Sequence, residues 1–163
     1  MRGMTLHMNE QALDRTPDFH RHFQGRFLEV RGVLAELRGS LTRYGPVCCD
    51  VATTEIVLAE VLNNIVEHGY QGTAGPVELR VWADSAGLTF VVIDAGAPLP
   101  GGQPPARDAR CLPDDPDALP ESGFGWHLIH SLTEGLEYET QLGSNRLRGR
   151  VPAHRRHGGA RLS

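Results

Sequence analysis

Apolar residues recur at Phe27, Val30, Val33, Leu34, Leu37 and Leu41. That spacing predicts a one-sided helix from Arg26 to about Arg43, ended by Gly45-Pro46. A second helix is expected from about Asp50 to His68, capped by Asp50 or Thr53 and closed by Gly69. Ahead of both, FHRHFQ alternates weakly and fits a short strand. Val77–Ala83 and Leu88–Ile93 read as strands, and the short Asp84-Ser85-Ala86-Gly87 connection makes them a hairpin. A third helix is expected from Gly125 to about Thr133. Leu136–Gln141 and Arg146–Val151 follow as a closing strand pair around Gly143-Ser144.

This order, strand, helix, helix, hairpin, loop, helix, hairpin, predicts an α+β fold. Its form is a two-layer sandwich, with a mostly antiparallel mixed sheet and helices on one face. Alternating βαβ crossovers are absent, which argues against a Rossmann arrangement. At 163 residues the chain has the length of one domain. We expect an N-terminal arm over 1–16, the domain over 17–152 and a disordered tail over 153–163. Residues 97–122 hold seven of the eleven prolines and five acidic residues, and no regular element fits them. A loop that long inside a domain is usually functional, so it reads as a lid.

Composition narrows the chemistry. Every basic residue other than histidine is arginine. Mechanisms that need a P-loop lysine, a kinase β3 lysine or a Schiff-base lysine are therefore excluded. The formal charge of −4 gives no reason to expect nucleic acid or an anionic membrane as partner. Cys48, Cys49 and Cys111 have no metal-ligand spacing and read as reduced thiols. No apolar leader opens the chain and no stretch suits a bilayer span, so a cytoplasmic protein is expected.

Three constellations carry candidate chemistry. On the second helix, Leu58, Leu62 and Ile65 mark a core face, while Glu60, Asn64 and His68 stack four residues apart along another. An amide oxygen at Asn64 suits Mg²⁺, which prefers hard oxygen ligands, and Glu60 one turn away can orient or deprotonate a hydroxyl. A solvated polar face has the same spacing. Next, an apolar strand ends in Asp94 just before Gly96. That carboxylate can accept from an exocyclic amine such as adenine's, and the glycine lets backbone approach a flat ring; an ordinary Asx turn has the same pattern. Last, Gly123 and Gly125 precede a helix, whose free N–H groups and positive dipole end favour an anion; such glycines also serve as simple caps.

Together and in this order, these residues resemble the GHKL ATPase superfamily with its N, G1 and G2 boxes. More closely, the chain resembles the anti-sigma-factor serine protein kinases of bacterial partner-switching systems. Glu60, Asn64, His68, Gly69 and Tyr70 match the N box, and Asp94 and Gly96 match the G1 box. Ser122, Gly123, Gly125, Trp126, Leu128 and Ile129 match the G2 box. The resemblance covers roughly residues 18–152. It implies a Bergerat-type sandwich that binds ATP beneath a mobile lid. Glu60 would be the general base, Asn64 the Mg²⁺ ligand and Asp94 the acceptor for the adenine amine. Gly123 and Gly125, with Ser122, would lie against the phosphates, and His68 belongs to the motif without a derived task. The family's substrate is a serine or threonine on a STAS-domain antagonist, its second partner is a sigma factor, and its members are commonly homodimers. Two features depart from the pattern. The lid's basic residues are limited to Arg107 and Arg110, with Glu121 near the phosphate turn, and Ser144-Asn145 replaces a hydroxyl-rich stretch.

The function expected is therefore an ATP-dependent protein serine/threonine kinase. The competing class is a nucleotide-sensing module that sequesters a regulator without phosphorylating it. A histidine-kinase fragment is disfavoured, since His20 and His22 lie outside any long amphipathic helix.

Overall fold

The predicted apolar stripes are largely the buried ones, although Phe27, the first residue of its stripe, is half exposed. In the computed structural model, which describes residues 13–43, 51–106 and 124–153, α1 (Phe27–Thr42) buries Val30, Val33, Leu34, Leu37 and Leu41. Helix α2 (Val51–Asn64) buries Thr54, Val57, Leu58, Val61 and Leu62. Of the two caps expected for α2, Asp50 lies outside the described residues, and Thr53 is inside the helix rather than before it. Helix α3 (Phe124–Leu132) buries Trp126 and Ile129. All three pack on one sheet through a shared core.

That sheet has five strands, β1 (Phe19–Gln24), β2 (Pro76–Asp84), β3 (Gly87–Asp94), β4 (Glu134–Gln141) and β5 (Ser144–Pro152). Their order is β1-β2-β3-β5-β4. Among the described residues every pairing is antiparallel, so no parallel pair there contributes to the mostly antiparallel mixed sheet expected. The α+β two-layer architecture is otherwise the one the sequence predicts. Alternation sends Val77, Leu79 and Val81 of β2 and Leu88, Phe90 and Val92 of β3 into the core under the helices. Burying about 25 cal/mol per Å² of apolar surface makes this central layer the main stabilising term.

The opposite face of the sheet is polar but not bare. Thr89 and Val91 of the central strand are buried there too. Arg150 reaches across to Thr89 Oγ1 (3.3 Å) and to Asp84 Oδ2 (3.1 Å), covering apolar surface with its stem while its charge is paired. At one end Trp82 donates its indole N–H to the carbonyl of Arg15 (2.9 Å), which ties the last residues of the expected arm to β2.

Both hairpin turns follow from local chemistry. Between β2 and β3, Asp84 Oδ1 accepts the N–H of Ala86 at 2.7 Å, an Asx turn. Between β4 and β5, Leu142 and Gly143 have φ of 51° and 78°. Positive φ at both central residues is the type I′ geometry whose twist matches that of paired strands. The register that results sets Asp94, the last residue of β3, directly opposite Asn145 near the start of β5. No helix among the described residues is long and apolar enough to cross a membrane.

Candidate functional site

Helix α2 does not run on to His68 in α form. After Asn64 the chain widens into a π turn over Ile65–Gly69, closed by the N–H of Tyr70 on the carbonyl of Ile65 at 2.9 Å. Such i→i+5 turns are uncommon and cluster at functional sites. Here the turn aims the carbonyl of Gly69 outward, where it accepts the N–H of Ala97 at 2.8 Å. Tyr70 then acts as a staple. Its hydroxyl donates to the carbonyl of Pro76 (2.6 Å) and accepts the N–H of Ala95 (2.9 Å). Burial raises the Tyr70 phenol above its usual range; the Ala95 N–H opposes that shift and the nearby Asp94 carboxylate adds to it. The end of α2 is thereby fixed to the strand ends on either side.

Asp94 is buried, with 8% of its surface exposed. Its Oδ1 accepts two bonds, from the N–H of Gly96 (2.8 Å) and from Asn145 Nδ2 (2.9 Å). Asn145 Nδ2 also reaches the carbonyl of Gly96 at 2.9 Å, and its Oδ1 accepts from Thr140 Oγ1 at 3.3 Å. Among the described residues Oδ2 of Asp94 receives no hydrogen bond. Burial raises the Asp94 carboxyl above the ordinary carboxylate range, and the Asn145 and Gly96 bonds hold that rise back. The carboxylate is thus clamped through one oxygen and offers the other.

Gly96 is required by close approach. A Cβ there would come within 2.7–2.9 Å of the C, O and Cα of Gly69, all backbone atoms. Nothing in that contact can swing away. We expect Gly96→Ala to destabilise the domain by about 1–3 kcal/mol, the range for forced overpacking. A lowered urea midpoint with an unchanged slope would report it.

Asn64, His68 and Asp94 line one cavity of about 230 Å³. Its walls are otherwise largely apolar, with Ile65, Leu99, Trp126 and Leu147 among them. Flat apolar walls around one free carboxylate oxygen suit a heteroaromatic ring with an exocyclic donor. The first residues of the predicted lid, Ala97 to Pro100, form part of the wall. Leu99 donates its N–H to the Tyr138 hydroxyl at 2.9 Å, which fixes that stretch over β4.

Glu60 does not line this cavity. It lies one turn back along α2, against the first turn of α3. A Cβ added at Gly125 would come 2.7 Å from Glu60 Oε2 and 3.8 Å from Asn64 Nδ2. Gly125 therefore lets α3 approach the acid and the amide together. The glycine was expected ahead of the helix, whereas the helix already begins at Phe124. Its N–H is then one of the four at a helix start that lack an intrahelical partner. Asn64 Nδ2 is itself buried with no hydrogen-bond partner among the described residues. A buried amide left unsatisfied costs stability and marks a position that a bound ligand can complete.

The structure thus brings Glu60, Asn64, His68, Asp94, Gly96 and Gly125 into one region. Ser122 and Gly123 lie outside the described residues, as do Arg107, Arg110 and Glu121. His68 is exposed at the rim, with Nε2 3.8 Å from Glu67 Oε2. The sequence reading missed Asn145, Tyr138 and the structural task of Tyr70. Asn145 was legible only as a departure from the usual pattern; its cross-strand position opposite Asp94 was the signal available.

A sheet with its helices on one face, and a polar-tipped apolar cavity where α2 meets the ends of β3 and β5, defines a ligand-binding α+β domain. The chain belongs to the histidine kinase-like ATPase domain family, whose model matches residues 24–150. It is accordingly an ATP-binding domain of the kinase/ATPase type. No curated protein matches the chain in sequence.

Proposed function

We propose that this domain is a protein serine/threonine kinase of the anti-sigma type, which phosphorylates a STAS-domain antagonist in a partner-switching system. A sigma factor would be its second partner, and the working unit would be a homodimer. The single observation that carries the kinase reading is the pairing of Glu60 with Asn64 over Gly125, beside the cavity that Asp94 closes.

In this reading Asp94 Oδ2 accepts from the adenine amine, and the apolar walls hold the ring. Gly125 presents its backbone N–H to the phosphates at the positive end of α3; Ser122 and Gly123, outside the described residues, are assigned to the phosphates by the resemblance alone. Asn64 would hold Mg²⁺ through its Oδ1, and its buried Nδ2, unpartnered among the described residues, would donate to an oxygen of the ligand. The ion would neutralise charge on the β- and γ-phosphates. Glu60 takes the proton of the substrate hydroxyl as that oxygen bonds to the γ-phosphorus, and the β–γ bridging oxygen departs with ADP.

The test is transfer from radiolabelled ATP and Mg²⁺ to STAS-domain proteins encoded beside this chain's gene. Label is expected on a serine or threonine of one of them. Asn64→Ala should weaken Mg-ATP binding roughly tenfold, the scale of one contact to a charged group. If ATP binds but no STAS protein is labelled, the domain is a nucleotide-sensing module that holds its partner without modifying it.

A further inference from the structure

On the sheet face away from the helices, and remote from the nucleotide cavity, three potential metal ligands meet. His20 and His22 lie two residues apart on the edge strand β1, so their rings leave the same face. Glu78 of β2 is directly opposite His22 and diagonal to His20. Glu78 Oε1 is 2.8 Å from His20 Nε2 and 3.7 Å from His22 Nε2. One ligand atom from each of the three lies within 4.8 Å of the others.

We propose that His20, His22 and Glu78 form a binding site for a divalent transition metal of the zinc class. Two imidazole nitrogens and one carboxylate oxygen are a donor set that zinc takes in sites with an open fourth position. Magnesium and calcium prefer all-oxygen ligands and are poorly matched. Zinc bonds of about 2.0–2.2 Å set tetrahedral ligand atoms roughly 3.3–3.6 Å apart, so the His20–Glu78 pair must open from 2.8 Å while the wider pairs draw in, a small rotamer adjustment. Two paired strands hold the Cβ positions while the side chains readjust, and both histidines are exposed to solvent.

The carboxylate is in its ligating form. Burial pushes Glu78 up, but hydrogen bonds from Arg80 and His20 outweigh it, helped by the charge of Arg80, and hold the group below the usual carboxylate range. Arg80 donates through Nε to the same Oε1. Its guanidinium therefore competes with a metal for Glu78 and repels it by charge. That competition makes a prediction with a definite sign: removing Arg80 tightens metal binding.

The experiment is a calorimetric zinc titration of the full chain after chelator treatment. It uses a background in which Cys48, Cys49 and Cys111 are changed to serine, so that thiols do not contribute. A fitted stoichiometry of one is expected. Changing His20 and His22 together to Asn should lower affinity by more than the roughly 10–100-fold that loss of an outer-shell partner costs. Arg80→Gln should raise it several-fold. Unaltered affinity in the double histidine variant, or no heat in its parent, would overturn the proposal. An independent readout uses the unaltered chain, in which the imidazole Cε1 resonances of His20 and His22 should shift with the first equivalent of zinc. Shifts confined to other histidines would also sink it.

Discussion

Asp94→Asn is expected to cost on the order of a hundredfold or more in ATP affinity while leaving the ligand-free domain at least as stable as before. The two effects have one cause. Gly96 N–H and Asn145 Nδ2 both donate to Oδ1 of Asp94. In the variant these two donors hold the amide oxygen in that position, which turns the new NH₂ into the cavity. A donor then faces the exocyclic amine where an acceptor stood. A hydrogen bond to a charged group is worth about 1.5–3 kcal/mol, and at 1.4 kcal/mol per factor of ten its loss with two donors opposed gives that scale. Calorimetry with Mg-ATP reads the affinity. A variant that binds ATP as tightly as the parent would remove Asp94 from the base site.

The stability half rests on the direction of the Asp94 shift. The folded protein raises this carboxyl by burial, so the native state binds the proton more tightly than the unfolded chain does. Its contribution to folding is fully present below the ordinary carboxylate range and is lost as pH rises through the elevated folded value. At neutral pH the charged group is therefore held against its own preference, and a neutral amide of the same shape relieves it. Thermal melts of the ligand-free parent and variant should separate at pH 7, with the variant higher, and converge in acid. A parent that outlasts the variant at neutral pH would show instead that the clamp needs the charge.

How much of this was readable beforehand differs by element. The stripe from Val30 to Leu41 and the alternation through β2 are local patterns, so α1 and the hairpin were legible within a residue or two. Glu60, Asn64 and Asp94 were picked out by short-range spacing and restrictive residue types, and the structure sets them in one region. The π turn was not legible. Ile65 was assigned to the core face on α-helical spacing; it does pack, partly buried, against the core, and it also forms a wall of the cavity. No residue pattern announces an i→i+5 bond, since it depends on where Gly69 must meet Ala97. Asn145 was missed for a similar reason. It is 51 residues from Asp94, and only the pairing of β3 with β5 brings the two together. Gly125 was read as a turn residue, because a glycine near a helix start signals a loop more often than a contact. Its value lies in what it lets Glu60 and Asn64 approach, which is tertiary information.

Glu60→Gln carries the largest effect expected on chemistry. Phosphate transfer should fall by about 10²–10⁴-fold, the range that a positioned general base supplies. Affinity for Mg-ATP should stay within about threefold, because Glu60 stands outside the cavity proposed for the base. The substitution is nearly isosteric, which matters at this position. Glu60 Oε2 fills the space that a Cβ on Gly125 would otherwise occupy, so a shorter side chain would open a gap and a larger one would displace α3. Glutamine keeps that packing but cannot take the proton. A carboxylate beside the positive end of a helix is also favoured electrostatically there, so part of any loss could come from weakened anchoring of α3. Single-turnover transfer separates these outcomes. Loss of a base lowers the rate at saturating ATP and leaves the binding constant alone, whereas a displaced α3 loosens the phosphate turn and weakens both. Transfer by Glu60→Gln at the parental rate would leave Glu60 a packing residue, and the proton would have to leave by another route.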